Sequence, residues 1–592
     1  MGGYSTLLIV IFAVSGVFGQ PTDYIGAGRS QGINVTASSQ FYNTHPMSTI
    51  NGRGMDVPYF KASRFLSQAT IGYEKHHIDQ VMNNGIASWI ETQFELPTSY
   101  ITPAMESIWE ERKQARASIG QNPEDLFGPW ALDFNYAWWQ VNLTNEDLLQ
   151  QKVAYALSQI LVVSMFSDLR DYAYFLCDYY DVLIRHSFGN YRDLLYDITR
   201  HAAMAFYLSH LNNPKSNPEV NQRPDENYAR EIMQLFTIGL FELNTDGTRK
   251  LNNGQPIPTY DNETVSNFAK VFTGLGAGAI NSNVTWTNQP YFGLHIWGID
   301  PRVPLAMYEN YHEPGEKHLL NGYTIPGGQT GLQDISDAID NLFNHENVGP
   351  FIAYRLIQRL VKSNPSPAYV QRVAQAFNGA NGGVRGDMKN VIRAILLDEE
   401  AREDEYISEE TSSRLKEPIM RYTQVARMVP KDSPYGRFWN NGFDSVDELK
   451  QHPLASPSVF NFYLPEHQPT GTISSEGNVA PEFKIHNTST SINYINKVNQ
   501  WIMWYTLMWS WEGDQIDIPI QVDFSQYVPL AEYPDDLINE YDRLYTHGQL
   551  TDETRVIIRQ ALEGITWGNY NWERTRLGLY LLLISPDFNT MK

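Results

Sequence analysis

Apolar side chains recur with a helical period along most of the chain after residue 60. The segment 331–361 shows this most plainly, with a break near Pro350. Spacings of three and four residues place apolar side chains on one face of a helix, so the segment predicts two packed helices. The apolar positions of these two stripes are Leu332, Ile335, Ile339, Leu342, Phe343, Val348, Phe351, Ile352, Leu356 and Leu360.

Helix boundary signals accompany these stripes. Ser366 and Pro367 fit the cap and first position of a helix, and Gly379 fits the position after its end. Strand-like alternation is scarce, and two segments, 259–300 and 452–485, are rich in glycine, proline and polar residues. The fold class predicted is mainly α, a large multi-helix globular domain with long irregular loops.

The start of the chain has a different pattern. An apolar run from Leu7 to Val17, followed by Gly19, is typical of a secretory signal peptide over residues 1–19. Residues 20–57 show no sustained period and predict a flexible arm, which leaves 58–592 as the helical domain. No later segment is apolar for the length of a membrane span, so we expect a secreted, extracellular protein without a transmembrane anchor.

Composition narrows the partners. The formal net charge is -23, so the surface repels a phosphate backbone and nucleic acid is not an expected partner. The single cysteine, Cys177, cannot form an internal disulfide and is interpreted as a small buried hydrophobe. Export through a eukaryotic secretory pathway would allow glycans at sequons. The five sequons begin at Asn34, Asn142, Asn262, Asn283 and Asn487.

A crowded polar cluster opens the segment 225–243. Asp225 and Glu226 suit the positive end of a helix dipole, whereas Asn227, Arg230 and Glu231 share a face that capping does not explain. This face is either a structural salt-bridge network or part of a reactive site. We expect it to meet His201 and the loop that carries His312 across a polar cavity, because a buried charge needs polar partners.

Several sequence blocks occur in order from about residue 60 to 590, namely SRFLSQATIGY, ALSQILVVS, RHSFGNYRDLLYDITRHAAMAFYL, DENYAREIMQLFTIGLFELN, VFTGLG, YHEPGEKHLLNG and SPSVFNFYLPEH with APEF. These blocks and their order resemble a large, mainly bacterial and often exported family, the domain of unknown function 1800 family. The resemblance implies a helical protein and carries no established activity. Its strongest blocks match His201, Glu226, Asn227, Arg230, Glu231, Gly239, His312, Gly315 and Lys317.

These matched residues give the candidate chemistry. Glu226 or Glu231 would act as general acid, base or metal ligand, and His201 and His312 as ligands or proton carriers. Arg230 and Lys317 would hold an anionic group. A divalent metal would bind to the set His201, Glu231 and His312. Relatives commonly have an acidic residue where this chain has Gln234, which weakens a metal or acid/base scheme that needs it.

Three functions remain open from the sequence. The first is a secreted glycoprotein that acts as a metal-assisted or acid/base enzyme, hydrolase-like, on an extracellular polymer such as a polysaccharide. The second is a non-catalytic, acidic extracellular or biomineral matrix component. The third is a redox protein, although the chain has no CxxCH haem-attachment motif.

Overall fold

The structure is a computed structural model that describes residues 57–126, 128–403, 411–433, 436–440, 442, 447–512 and 516–591. The predicted signal peptide 1–19, residues 20–56 of the predicted arm, and Asn34 lie outside the described residues. The first described helix begins at Val57, next to the predicted start of the helical domain.

Helices dominate the described chain, which confirms the mainly α fold class. In chain order they are α1 (Val57–Ala69), α2 (Lys75–Asn84), α3 (Ile86–Glu95), α4 (Ile101–Ser118), α5 (Ala131–Thr144), α6 (Leu148–Ser158), α7 (Ala173–His186), α8 (Tyr191–Thr199), α9 (Ala202–Tyr207), α10 (Asn227–Gln234), α11 (Asn262–Val271), α12 (Gly331–Phe343), α13 (Val348–Leu360), α14 (Pro367–Phe377), α15 (Met388–Leu396), α16 (Glu399–Arg402), α17 (Pro418–Met428), α18 (Thr472–Ser475), α19 (Thr488–Met503), α20 (Pro534–Tyr541), α21 (Asp552–Glu563), α22 (Tyr570–Ile584) and α23 (Pro586–Asn589).

Short strands connect the helices in small antiparallel sheets. They are β1 (Leu251–Asn252), β2 (Gln255–Pro256), β3 (Leu275–Gly276), β4 (Ala306–Met307), β5 (Lys317–His318), β6 (Thr324–Ile325), β7 (Arg414–Leu415), β8 (Lys431–Asp432), β9 (Thr506–Glu512), β10 (Ile516–Val522) and β11 (Thr590–Met591). The pairs are β1 with β2, β3 with β4, β5 with β6, and β7 with β11, while β10 lies between β8 and β9.

Single helical turns complete the secondary structure. The 3-10 turns are Pro123–Asp125, Asp168–Asp171, Pro218–Val220, Ile296–Gly298, Glu309–Tyr311, Leu320–Gly322, Ala380–Gly382, Pro481–Lys484 and Val528–Glu532, and Asp542–Thr546 is a π-helical turn.

The two predicted stripes form α12 and α13, with the break at residues 344–347. Ile335, Ile339 and Leu342 are fully buried, as their shared face requires. The cap prediction for α14 is also confirmed, since the Ser366 hydroxyl accepts from the Tyr369 amide. Gly379 follows the end of α14 with a positive φ, which favours glycine.

One local prediction needs correction. The segment 259–300 was expected to be irregular, yet its first part forms α11, where Asp261 accepts from the Thr264 amide. Strands are few, as expected, and the longest pairing among the described residues is the hairpin of the seven-residue strands β9 and β10. The alternation in IDIPIQV, residues 516–522, carried that signal.

The chain divides into two compact units. The smaller comprises residues 57–64, Lys497–Tyr505 and Val522–Asn589, and the larger comprises most of the remaining chain. In the smaller unit, α20, α21 and α22 pack together beside a buried ion pair between Arg555 and Asp542 at 2.9 Å. In the larger unit, α4, α5, α6 and α7 pack around the buried Trp138 and Trp139. A single helical domain over 58–592 stays a prediction.

Among the described residues, the helices are all too short or too polar to cross a lipid bilayer.

Candidate functional site

The start of α10 is a capped helix end at the protein surface. Asp225 Oδ1 accepts from the Asn227 amide at 2.8 Å, which satisfies one of the free amides at the helix start. Arg230 Nη2 lies 3.4 Å from Glu226 Oε2, and these side chains are 40% and 45% exposed. Glu226 and Arg230 therefore form an ordinary surface pair one helical turn apart.

Glu231 differs from its neighbours because it turns inwards. The residue is buried, and its Oε2 has no hydrogen-bond partner among the described residues. Burial raises the pKa of the Glu231 carboxyl, and Arg230 only partly opposes this. Burial and the charge of Glu231 together raise the pKa of Tyr207 to about 12. A raised carboxyl pKa is the direction of shift that a general acid needs.

The second predicted group, His201, caps a helix. Its Nδ1 accepts from the Ala203 amide at 3.1 Å, at the start of α9. Its Nε2 therefore carries the proton and donates to Asp178 Oδ2 at 3.0 Å. With both ring nitrogens engaged, His201 has no lone pair free for a metal.

The third group is an anchored loop, formed by His312, Lys317 and Asp334. Asp334 Oδ2 accepts from His312 Nε2 at 3.0 Å and also from Lys317 Nζ. Lys317 Nζ donates further to the carbonyls of Glu313 at 2.6 Å and Gly315 at 2.9 Å, within its own loop. All three side chains are at most 2% exposed. They tie the loop to the first turns of α12.

Asp334 is the carboxylate shared by His312 and Lys317 in the anchored loop. Burial raises the pKa of Asp334, but hydrogen bonds from His312 and Lys317 outweigh it and hold the pKa below its usual value. The other ring nitrogen, His312 Nδ1, lies 2.9 Å from the Thr273 carbonyl. Both nitrogens of this ring are therefore occupied as well.

A glycine brings the VFTGLG segment against this loop. Gly274 has a φ of +85°, and a Cβ there would lie 3.0 Å from the His312 amide nitrogen and 2.9 Å from Met307 Sδ. Only glycine combines this backbone conformation with such a close approach. The approach places the Thr273 carbonyl at the His312 ring.

The predicted site residues thus lie in separate hydrogen-bonded groups. His201 pairs with Asp178, His312 and Lys317 pair with Asp334, and Glu226 pairs with Arg230. The metal set of His201, Glu231 and His312 stays a prediction, and the hydrogen bonds of both rings do not favour it.

A metal-type grouping that the sequence interpretation missed lies between α2 and α6. One nitrogen or oxygen of each of His76, His77 and Glu146 falls within 4.8 Å of the others. However, His77 Nδ1 accepts from the Glu74 amide at 3.0 Å, so its Nε2 carries the proton and donates to Glu146 at 3.1 Å. Burial and Arg427 lower the pKa of His77 to about 3. His77 is therefore a neutral side chain that links α2 to the turn before α6 through its hydrogen bond to Glu146.

The most perturbed charges surround a cavity in the larger unit. We call Lys152, Arg414, Lys416, Glu417 and Glu482 the cationic centre. Each of these residues is between 1% and 4% exposed. Arg414 Nη2 lies 3.4 Å from Glu417 Oε2 and 3.4 Å from Glu482 Oε1, so one guanidinium bridges both carboxylates.

Glu417 is the fixed anion of the centre. Its Oε1 accepts from Gln159 Nε2 at 2.7 Å, from Gln451 Nε2 at 3.0 Å and from the Tyr463 hydroxyl. Burial raises its pKa, but Arg414 and Arg359 overcome this and hold the pKa of Glu417 below its usual value. Glu482 keeps one oxygen without a hydrogen bond among the described residues, and burial raises its pKa.

Lys152 differs from the other residues of the cationic centre in its contacts. Its Nζ contacts Met420 Sδ at 3.5 Å, and among the described residues it has no oxygen acceptor within hydrogen-bond distance. Burial first, and then the charge of Arg414, lower the pKa of Lys152 to about 7. Burial and Arg421 lower the pKa of Lys416 equally, to about 7, although Lys416 donates to Gln424 Oε1 at 3.0 Å.

These cations line a cavity of about 20 Å³, which is room for about one water molecule. One wall is the turn 67–73, which lies on α17. A Cβ on Gly72 would lie 2.6 Å from the Thr423 carbonyl, and Thr423 Oγ1 donates to the Ile71 carbonyl at 2.7 Å. Glycine at position 72 therefore lets the SRFLSQATIGY block close the cavity.

Several residues in and around the cationic centre lie in the sequence blocks that resemble the family. The sequence interpretation assigned no chemistry to these residues. SRFLSQATIGY forms the wall, SPSVFNFY supplies Tyr463 and APEF supplies Glu482. One signal was available for Lys152. It is the single charged residue inside the apolar helix α6, of which every residue is buried.

The sequons also differ in accessibility. Asn262, Asn283 and Asn487 are exposed. Asn142 is 2% exposed, and its amide donates to the Trp138 carbonyl at 3.0 Å inside α5. A glycan on Asn142 has no room in this fold, so the proposed glycosylation sites exclude it.

Comparison with known sequences gives one relationship. The sequence profile of the family described as "Protein of unknown function (DUF1800)" matches residues 64–590, nearly the whole chain. No curated protein matches the chain, and no solved structure matches it. The chain therefore belongs to this family of unknown function.

Proposed function

We propose that this family member is an exported acid/base enzyme in which the Lys152 amine is the reacting group. The observation that carries the proposal is a buried amine with a pKa of about 7, no oxygen partner among the described residues, and a cavity in front of it. A lysine becomes a base or nucleophile at neutral pH when burial and a neighbouring cation lower its pKa.

The charge balance of the centre supports an anionic or oxyanionic ligand. Lys152, Arg414 and Lys416 line the cavity, whereas Glu417 and Glu482 are the carboxylates nearby. Excess positive charge in a low-dielectric interior is costly. It is relieved when the amines lose protons or when an anion enters. Arg414 keeps its charge and stabilises negative charge that develops on a reacting oxygen.

The size of the cavity fits general-base hydrolysis. Neutral Lys152 Nζ takes a proton from a water molecule, whose oxygen attacks an electrophilic carbon of the substrate. The resulting ammonium then returns the proton to the leaving group, which restores the amine. Glu231 remains a predicted acid of a different part of the larger unit.

Export and the polymer substrate rest on the sequence. The pattern of residues 1–19 and the sequons at Asn262, Asn283 and Asn487 support an extracellular protein. The net charge of -23 disfavours a polyanionic nucleic acid. An extracellular polymer therefore remains the expected class of substrate.

Carbamylation with cyanate tests the reactive amine, because isocyanic acid is a small, uncharged electrophile of only three heavy atoms. The lone pair of Nζ attacks the reagent's carbon, and an Nζ proton moves to the reagent's nitrogen. Peptide mass spectrometry across pH, with each rate divided by the concentration of isocyanic acid at that pH, should show half-maximal reactivity of Lys152 near pH 7. Surface lysines should need a pH near the ordinary lysine pKa of about 10.4.

Lys317 is the matched control, because it is equally buried but donates to Glu313, Gly315 and Asp334. It should stay unmodified in the folded protein. If Lys152 is as inert as Lys317 up to about pH 10, the enzyme proposal fails, and the non-catalytic matrix component becomes the better function.

A further inference from the structure

Large aromatic side chains are exposed on residues 286–297 and on the turn Glu309–Tyr311 of the larger unit. Trp286, Tyr291, Trp297 and Tyr311 are 52%, 43%, 45% and 43% exposed. We call these four residues, with Phe292, the aromatic shelf. Exposed tryptophans that lie together are unusual on a protein surface and mark interaction sites.

Four of the five rings of the aromatic shelf form two pairs. The ring centroids of Trp286 and Trp297 are 4.8 Å apart, and those of Phe292 and Tyr311 are 3.9 Å apart with the planes inclined by 11°. Phe292 and Trp297 belong to different pairs and are five residues apart in the chain. A segment of that length spans at most about 20 Å, so the two pairs lie within about that distance of each other. Both pairs are therefore carried by neighbouring parts of the surface.

The loop holds these rings in place. The Asn212 side chain donates to the Leu294 carbonyl at 3.0 Å and accepts from the Gly293 amide at 2.8 Å. The Asn281 amide donates to the Gly298 carbonyl at 2.8 Å. Leu294 and Ile296 are buried beneath the shelf at 1% exposure. The rings are therefore exposed on a fixed support, which lowers the entropy cost of binding.

We propose that the aromatic shelf binds a neutral polysaccharide chain. The C–H faces of a hexose carry a small positive charge and pack on the negative faces of aromatic rings. Exposed polar side chains beside the rings, at Asn288, Gln289 and His295, are placed to bond sugar hydroxyls. The net charge of -23 repels polyanionic chains, which favours a neutral polymer over a uronate or sulfated one.

This surface is separate in its residues from the cationic centre, and its binding does not depend on Lys152. One competing occupant is the chain's own glycan. Asn283 is exposed and lies three positions before Trp286, so a glycan there is able to reach the rings.

Binding of the full chain to insoluble cellulose and chitin, with alginate as a polyanion, tests the proposal. We expect retention on a neutral polymer, about tenfold weaker after Trp286→Ala or Trp297→Ala, because aromatic anchors dominate such contacts. Trp286→Tyr should keep most of the binding. Trp567→Ala is the matched control, since Trp567 is 54% exposed in the smaller unit.

Three outcomes overturn the proposal. The first is retention only on alginate or on none of the polymers. The second is an equal loss after Trp567→Ala, which would mean nonspecific adsorption. The third is retention that appears only after Asn283→Gln, which would assign the rings to the chain's own glycan.

Discussion

The anchored loop and the cationic centre are both buried clusters of charged residues, but they treat their lysines in opposite ways. Lys317 donates to two carbonyls and to Asp334, so all three of its protons have acceptors. Lys152 has Met420 Sδ as its contact and a pKa lowered to about 7. A lysine whose three protons all have oxygen acceptors indicates a structural lock, whereas an amine without an oxygen acceptor beside a cavity indicates chemistry.

Charge balance explains the difference. In the anchored loop, Asp334 lies between His312 and Lys317, and one carboxylate serves both groups. In the cationic centre, Glu417 is already engaged by Arg414, Gln159 and Tyr463. No hydrogen-bond capacity of Glu417 Oε1 is directed to Lys152. Burial therefore favours the neutral form of the Lys152 amine.

The largest effect should follow from breaking the lock. Asp334→Ala leaves Lys317 and His312 buried without their carboxylate, which should cost about 3–5 kcal/mol of unfolding free energy. Urea denaturation followed by far-ultraviolet circular dichroism measures it. Asp337→Ala, on the same helix but less buried, is the control and should cost under about 1 kcal/mol. Equal losses of unfolding free energy for the two variants would mean that Asp334 stabilises the fold no more than the less buried Asp337 does.

Lys152→Met should change the free energy of unfolding in the opposite direction. It removes a buried amine that has no oxygen acceptor within hydrogen-bond distance among the described residues, so the protein should gain on the order of 2–4 kcal/mol at pH 6 and lose reactivity with cyanate. A structural lysine would lower the stability when replaced. If Lys152→Met destabilises the protein, the cationic centre is therefore a structural cluster like the anchored loop.

The pH dependence of that gain has a definite direction. The pKa of Lys152 is about 7 in the folded chain against an ordinary value of 10.5, so burying it costs stability in full below about pH 7. The cost falls as the pH rises from about 7 to 10.5, where the unfolded chain holds the extra proton. The stability difference between Lys152→Met and the natural chain should shrink across that window. A constant difference would contradict the lowered pKa.

Much of the fold was predictable because helices are local. Stripes such as Ile335, Ile339 and Leu342 report burial through spacing alone, and the Ser366 cap acts within its own first turn. The hairpin of β9 and β10 was missed although IDIPIQV alternates, since helical stripes elsewhere set the expectation. Helix α11 was hidden because its segment ends in glycines and aromatics.

The candidate site was less predictable because its residues are distant in sequence. Lys152, Arg414 and Glu482 meet only through tertiary packing, which no spacing rule reports. The polar cluster at α10 was conspicuous because its residues are adjacent. Adjacency explains Asp225 as a cap and Glu226 as the partner of Arg230, but it does not show which side chain lacks acceptors.

Gly72→Ala tests whether the wall of the cationic centre needs its close packing. The new Cβ would lie 2.6 Å from the Thr423 carbonyl, and such overpacking costs about 1–3 kcal/mol. The turn should also move away from α17 and open the cavity, which would raise the cyanate reactivity of Lys152. Gly315→Ala is the control, because its Cβ would meet only Glu313 Oε1, at 3.9 Å. A melting temperature unchanged by Gly72→Ala would show that the wall is not tightly packed.

The smallest effect should come from Glu226→Gln at the start of α10. Its carboxylate is 45% exposed and lies 3.4 Å from an Arg230 guanidinium that is itself 40% exposed, so water screens the pair. We expect a loss of about 0.3–0.5 kcal/mol at low salt. The loss should vanish near 1 M salt, where the screening length falls to about 3 Å. Asp334→Ala should keep its cost at the same salt concentration, because the anchored loop is closed to ions. A large, salt-insensitive cost of Glu226→Gln would mean that the polar face of α10 is buried by an unrecognised partner. The start of α10 would then be a buried structural cluster like the anchored loop.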